Sequence, residues 1–572
     1  MTSNVHPPHQ RWWLVALTLF TFLFLLGSRS LNEPDEGRYA EIAREMIELG
    51  DWTVPHFWYV PHLDKPPLTY WAVAISMTVF GQAEWAVRLP LALAGMSGVW
   101  VSYLFGRALG GRRVGLWSAL ILQSSLLYFV MARTLTTDII LTQFVAWAMY
   151  FFWRSWRSLD NAEAGGKAFF AWHLAGWAAV ALGFLTKGPI GFVLPLVCLV
   201  ALSVCRWRDV RRRKAVFGGV MAGLALLLVL VAPWFLAVFH REPRAFDFMV
   251  YSQAVGHALG TTIRNRRGPL LYYFAILGFG CLPWTLLLGW LWRRAHWRSL
   301  AGLQKDAWIM LSAGAAITFC LFSLLRAKLP AYILPMFPAL AVMVAMRYFD
   351  ARPGSDALQP PGWMWRVCML SPLVLMIVVP VLVPPVFHVG DPAELKFQAA
   401  IAVVALGLLA WRGRRFSQDQ CAVWAVVLAL LNLQFVAASM PSLETSLKSN
   451  QTLKPLGAAL RENYRPGDKL ACWGRLPQGL PFYAHPVISA TRRPYLGGMA
   501  LDQVPFEFPG NRERFGDLVL PDEVALVRLL SENQRVMVVG FSGSFDHFQR
   551  AMTNKPLRLI VRVGQWELFF NY

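Results

Sequence analysis

Long blocks without a charged residue, such as Met221–Phe239 and Val367–Val383, constrain this chain more than any other feature. A hydrocarbon core roughly 30 Å thick is crossed by about twenty helical residues. Within it every backbone amide must be satisfied inside the protein, which leaves helices or closed barrels as spanning structures. Comparable runs lie at 12–27, 86–106, 114–131, 137–153, 169–186, 188–204, 216–236, 269–290, 307–325, 330–347, 366–385, 397–411 and 421–439, which predicts thirteen spans. With 56% hydrophobic residues in 572, disordered, collagenous and disulfide-rich classes are excluded. The expectation is a polytopic α-helical membrane protein.

The formal charge of +21 would ordinarily suggest nucleic acid, but its Lys and Arg clusters fall between spans. An N-terminus on the inner side of an uncleaved first helix puts the even-numbered loops inside. Those loops carry Arg107/Arg112/Arg113, Arg154/Arg157, Arg206 to Lys214, Arg293/Arg294/Arg298, Arg347/Arg352 and Arg412/Arg414/Arg415. All obey the positive-inside rule, so the charge encodes orientation and no nucleic-acid partner is expected. Residues 1–440 are then a transmembrane domain, and 441–572 an exported α/β domain. In that domain Lys469–Trp473, Val536–Phe541, Leu559–Val563 and Trp566–Phe570 read as strands, and 453–463 and 521–533 as helices. A further outer loop, 28–85, is punctuated by Pro34, Pro55, Pro61, Pro66 and Pro67 around juxtamembrane helices, with 66–81 readable as interfacial. Six of the seven cysteines lie in or beside spans, and the lone Cys472 has no partner for a disulfide within its domain. No Walker or GxGxxG loop and no CxxC or HExxH spacing is present, so nucleotide and simple metal motifs are not indicated.

Charges beside a bilayer are costly and mark function. In Asn32–Tyr39, Pro34 can start a helix whose first turn holds Asp35 and Glu36, where a plain helix-capping role is the competing explanation. Asp35, Arg38 and Tyr39 are three and four residues apart and share a face. Asp64 and Lys65 precede two prolines. Asp138 opens the fourth span, Lys187 ends the fifth, and Arg326, Lys328 and Tyr332 border the tenth, all on the outer side. The outer loop 237–268 adds Arg241, Glu242, His257, Arg264, Arg266 and Arg267. Carboxylates facing cations at the lipid–water boundary suit a phosphate head group held by Lys and Arg beside a carboxylate that orients or deprotonates a nucleophile.

Pro34–Met46, Gly50–His56, Lys65-Pro66, Thr186–Gly188, Pro233-Trp234 with Arg241–Pro243, Leu282–Trp284 and Lys328–Ile333 together resemble the motif series of GT-C membrane glycosyltransferases that use polyprenyl-phosphate sugars. The resemblance is specifically to the bacterial lipid A aminoarabinose transferases. It implies an undecaprenyl-phosphate-linked sugar donor and inverting transfer to lipid A or another envelope glycan at the outer face of the inner membrane. It also implies phosphate binding by Arg38, Lys65 and Lys328, with Lys187, Arg264, Tyr39, Asp64 and Tyr332 as further binding residues. Asp35 would be the acceptor-facing base and Asp138 the second candidate. Two departures stand out. Asp64 replaces the usual Glu before Lys-Pro, and Gln253–Ala258 lacks the Glu-His pair that relatives use for a metal, so no metal ligand set and no cofactor is assigned. The alternative is a lipid or solute transporter, which should place charges mid-span within repeated halves.

Overall fold

The structure is a computed structural model that describes residues 9–160, 165–255, 268–291, 300, 302–350, 360–387, 393–446, 452–491, 494–498, 507–552 and 556–571. Its first elements are α1 (His9–Leu23), α2 (Asp35–Leu49), a small hairpin of β1 (His56–Phe57) and β2 (Val60–Pro61), and α3 (Leu68–Phe80). Then follow α4 (Glu84–Gln123), α5 (Leu126–Met131), α6 (Asp138–Ser158), α7 (Gly165–Lys187), α8 (Pro189–Val204) and α9 (Val210–Arg241). Further helices include Gly302–Leu324, Phe337–Tyr348, Gly362–Phe387, Ala393–Arg412 and Gln418–Ser446. Six helices among the described residues are long and apolar enough to cross a membrane, and four shorter apolar ones accompany them.

Most predicted runs coincide with helices, but three do so differently. The runs at 86–106 and 114–131 are joined within α4 by a turn at Gly110 and Gly111, the latter at φ 80°. The arms then pack so closely that a Cβ on Gly115 would sit 2.7 Å from the Tyr103 carbonyl oxygen. The run at 114–131 also breaks at Ser124-Ser125, whose hydroxyls bond back to the Leu120 and Ile121 carbonyls. The run at 269–290 breaks at Leu282-Pro283 into Tyr272–Gly280 and Thr285–Leu288. The two breaks satisfy each other: Leu126 N donates to Leu282 O at 3.2 Å, and Trp284 Nε1 donates to Ser124 Oγ at 3.0 Å. That reciprocity is what an irregular backbone inside lipid requires.

At one end of the bundle, arginines of the basic loops are stitched to acids: Arg113 to Asp419, Arg206 to Asp306, and Arg212 to Asp160. At the other end α2 and α3 pack over α4 and α7, beneath a C-terminal sheet domain. This sheet has strands β3 (Lys469–Trp473), β4 (Tyr495–Gly497), β5 (Val519–Leu520), β6 (Val536–Phe541), β7 (Arg558–Val563) and β8 (Trp566–Phe570). Their order is β5-β4-β3-β6-β8-β7. The first four are parallel, and β8 runs antiparallel to both β6 and β7. The four expected strands are present. The helices fall at Lys454–Asn463 and Glu523–Ser531, and β4 and β5 were too short to show a strand pattern. Parallel strands lie on both sides of β3, so connections diverge at its C-terminal end, the edge where open α/β sheets present their loops.

The two ends of α1, α2 and α4 meet at Glu36. Arg88 reaches from α4 with no exposed side-chain surface and donates to both Glu36 oxygens, at 3.0 and 2.9 Å, and to the carbonyls of Leu26, Arg29 and Ser30. Replacing Arg88 with Met should leave Glu36 charged and underpaired, at a cost of about 3–5 kcal/mol. A thermal melt of the purified protein in detergent should show a large fall in midpoint.

Candidate functional site

The segment before α2 begins with Glu33, which lies against the C-terminal domain. Its Oε2 accepts from Gln478 N at 2.9 Å and its Oε1 from Gly479 N at 2.6 Å. Burial pushes the carboxyl up to about 7; the Gly479 and Gln478 amides and Arg38 work against the rise, and Asp35 adds to it. Pro34 is the N-cap residue of α2, and Asp35 Oδ1, in the first turn, accepts from Arg38 Nη2 at 2.7 Å. Burial opposes ionisation of Glu36, yet Arg88 and then Arg29 overcome it and hold this carboxyl well below the usual range.

One helical turn on, Tyr39 stacks on Tyr70 with centroids 5.4 Å apart, and the Arg38 guanidinium lies 5.7 Å from the Tyr39 ring. Burial raises the Tyr39 phenol; Arg38 opposes this, while Asp64, Asp35 and Asp138 all reinforce it. Carboxylates from three separate motifs therefore act on one buried phenol. Asp64 accepts from Lys65 Nζ at 2.8 Å. Burial favours its neutral form, but Lys65 and Arg38 outweigh burial and keep it ionised. His62 is pushed down to about 3, first by burial and then by Arg38 and Lys65 against the pull of Asp64, which leaves a neutral imidazole beside the cluster.

From the bundle, α6 places Asp138 at its first residue and α7 places Lys187 at its last, so both chain ends point to the same boundary. Lys187 Nζ donates to Asp138 Oδ1 at 2.5 Å and lies 4.5 Å from the ring centroid of Tyr332. Three carboxylate–cation pairs thus line one end of the bundle: Asp35 with Arg38, Asp64 with Lys65, and Asp138 with Lys187. Their side chains are partly accessible, in contrast to Glu36.

Lys328 also has a structural contact. It donates to the Phe322 and Ser323 carbonyls at 2.8 and 2.5 Å, closing the end of Gly302–Leu324, with Nζ 5.3 Å from the Tyr273 ring. An ammonium carries three donors, and two are engaged by backbone here. Arg264, His257, Arg266 and Arg267 lie outside the described residues. Arg241 and Glu242, assigned to the same loop, pair with Asp51 and Arg514 and so brace the outer segments. Among the described residues no three His, Cys, Asp or Glu side chains converge as metal ligands. Sequence reasoning had missed Glu33, His62, Tyr70 and Gln478 as members of this neighbourhood. Only Glu33 and His62 carried a signal, being charged or titratable residues inside the motifs.

The comparisons with known proteins follow this geometry. The dolichyl-phosphate-mannose-protein mannosyltransferase family model matches residues 64–236, which include Asp64, Lys65, Asp138 and Lys187. An undecaprenyl phosphate-α-4-amino-4-deoxy-L-arabinose arabinosyl transferase of Edwardsiella ictaluri is 33% identical over 339 residues, and the match spans 58% of each chain. A protein of the same description from Pseudomonas aeruginosa is 33% identical over 438 residues, 75% of each chain. The chain belongs to this arabinosyl transferase family. The crystal structure of ArnT from Cupriavidus metallidurans bound to undecaprenyl phosphate shares its fold, with a TM-score of 0.80 at 24% identity over 99% of both chains. Family membership accounts for the apolar helices with a C-terminal sheet domain.

The raised carboxyl of Glu33 gives a signed expectation. Its folded-state value of about 7 lies above the ordinary 4.5, so the folded state favours the neutral form. That stabilisation is complete below the ordinary value and is lost as pH rises through about 7. Opening at Gln478 and Gly479, read by amide hydrogen exchange corrected for intrinsic rates, should therefore be more frequent at pH 8 than at pH 5. Glu33→Gln should flatten the difference.

Proposed function

We propose that this protein transfers a sugar, 4-amino-4-deoxy-L-arabinose or a related one, from undecaprenyl phosphate to lipid A or another envelope glycan, inverting the sugar carbon. The observation that carries this reading is the set of three carboxylate–cation pairs from separate motifs at one end of the bundle, Asp35 with Arg38, Asp64 with Lys65 and Asp138 with Lys187. The family gives the reaction class, since its relatives carry undecaprenyl phosphate and arabinosyl transferase in their names. The competing transporter reading has no support from that family.

In the proposed mechanism the donor phosphate meets Lys65, Arg38 and Lys187, which are already oriented by carboxylates. Prepositioned cations stabilise charge that grows on the leaving phosphate without reorganising at the moment of reaction. A phosphate that takes over Arg38 releases Asp35 to face the acceptor. Asp35 then removes the proton from an acceptor hydroxyl, or positions an acceptor phosphate that is already ionised. Asp138, tied to Lys187, orders the donor side, and Tyr39 and Tyr332 give aromatic surface beside the cations. Lys328 supports the wall through the helix end it closes.

Thirteen spans, a transmembrane domain over 1–440, an exported domain over 441–572 and a site on the outer face of the inner membrane belong to the same proposal. Its support is the basic composition of six loops and the separation of the carboxylate cluster from the Arg113–Asp419 and Arg212–Asp160 end. A reporter active only in cytoplasm, fused after residue 572, should stay silent.

Mass spectrometry of lipid A and other envelope glycans from cells with and without the gene tests the substrate assignment. A missing pentosyl or hexosyl substituent in the deletion is expected, and identical glycans would overturn it. At the level of residues, Asp35→Asn should lower transfer by roughly 10²–10⁴ with donor binding retained, because an ionisable oxygen is removed from the reaction centre. Asn serves at a helix start about as well as Asp, so a lost cap cannot account for such a fall. Near-normal turnover would move the base to Asp138 or Asp64.

A further inference from the structure

We infer that the C-terminal domain is a working part of the site: Glu33 clasps its 478–479 backbone so that Gln478 sets the orientation of Arg38, making Glu33 and Gln478 positioning residues. This rests on the catalytic reading given above. Two successive amides converge on the two oxygens of Glu33, at 2.9 and 2.6 Å, from a loop more than four hundred residues away. The approach is possible only between glycines. A Cβ on Gly37 would lie 2.4 Å from Gly479 Cα, and one on Gly479 would lie 2.4 Å from Glu33 Oε1. The loop follows β3 at the diverging edge of the sheet, so the fold aims it at the membrane-embedded half.

Gln478 is buried, and its Oε1 accepts from Arg38 Nη1 at 3.4 Å while Arg38 Nη2 holds Asp35 at 2.7 Å. Arg38 is planar, so fixing both terminal nitrogens fixes the plane of the whole fork. The Gln478 bond keeps the fork in that plane when a substrate phosphate displaces Asp35 from Arg38. Neighbouring contacts hold the loop from the far side: Tyr483 Oη accepts from Leu31 N at 2.7 Å, and Gln82 Nε2 donates to the Phe482 carbonyl at 2.6 Å. Those bonds do not involve Glu33, so the domain stays attached when the clasp is removed and only the register of Gln478 against Arg38 is lost.

The test uses the full-length protein in liposomes with three variants, Glu33→Gln, Glu33→Ala and Gln478→Ala. Amide exchange at Gln478 and Gly479 reads the clasp without any substrate. It should rise in the order wild type, Glu33→Gln, Glu33→Ala, because the amide side chain keeps one acceptor and alanine keeps none. Exchange in β3 and β6 should not change. Transfer kinetics should show kcat lowered about tenfold in Glu33→Ala and Gln478→Ala, with KM for the lipid-linked donor changed much less, as for lost alignment rather than lost binding. Glu33→Gln should recover part of kcat. Wild-type kinetics in Gln478→Ala, or exchange rising through the whole sheet in step with activity loss, would overturn the positioning role. An inactive wild-type protein with the graded exchange intact would count against the donor assignment and in favour of the clasp.

Discussion

A carboxylate sealed from water must find donors for its lone pairs, and Glu36 finds them on four segments. Arg29 donates through both terminal nitrogens, Arg88 through Nε and Nη2, and the backbone of Asn32 and Leu135 completes the shell. An ion buried this fully is a net stabiliser only with such complete pairing. The consequence is positional. The end of α1, the start of α2, the α4 helix and the turn before α6 are referred to one point, so Asp35, Arg38 and Asp138 can sit within reach of one another although they arrive on different elements. Neighbouring helical residues point about 100° apart, so Glu36 is sealed while its neighbour Asp35 stays partly exposed.

The same economy of charge appears at both ends of the bundle, with different results. On the arginine-rich side, Asp160, Asp306 and Asp419 are consumed in pairs that join helices. On the other side, the pairs of Asp35, Asp64 and Asp138 are more enclosed than the exposed Arg113–Asp419 pair and bring three cations to one end of the bundle. A transporter would need such groups along its path through the membrane. Here they stop at the boundary between the helices and the C-terminal domain.

The span pattern and the short motifs were legible in the sequence because each depends on local composition: twenty apolar residues need no distant partner to be recognised, and Pro34–Met46 and Lys65-Pro66 announce themselves within a few residues. The breaks at Ser124-Ser125 and Leu282-Pro283 were not legible as one feature, because either alone is an unsatisfied backbone and only their meeting makes both acceptable. The backbone bonds of Lys328 were hidden for a related reason: a Lys before Leu-Pro at a span end carries no mark of the preceding helix's carbonyls, two of which it satisfies. β4 and β5 escaped notice because strands of three and two residues carry no alternation.

Least legible of all was the contact between Gly37 and Gly479, since a glycine in a motif and a glycine in a soluble-looking tail carry no mark of each other. The physical requirement is nonetheless sharp, because neither position tolerates a Cβ at the distances found. This alters how the two halves of the chain should be weighed. The motif series lies before residue 345 and would place the whole site in the membrane-embedded half, with the tail as an appendage. Yet the groups meeting Glu33 and Arg38 come from Gln478 and Gly479, so substitutions in the tail can act on this neighbourhood through backbone geometry alone, without contributing a reacting group. A family whose members share the membrane half and diverge in the tail would then tune the same chemistry by how this one loop approaches the first turn of α2.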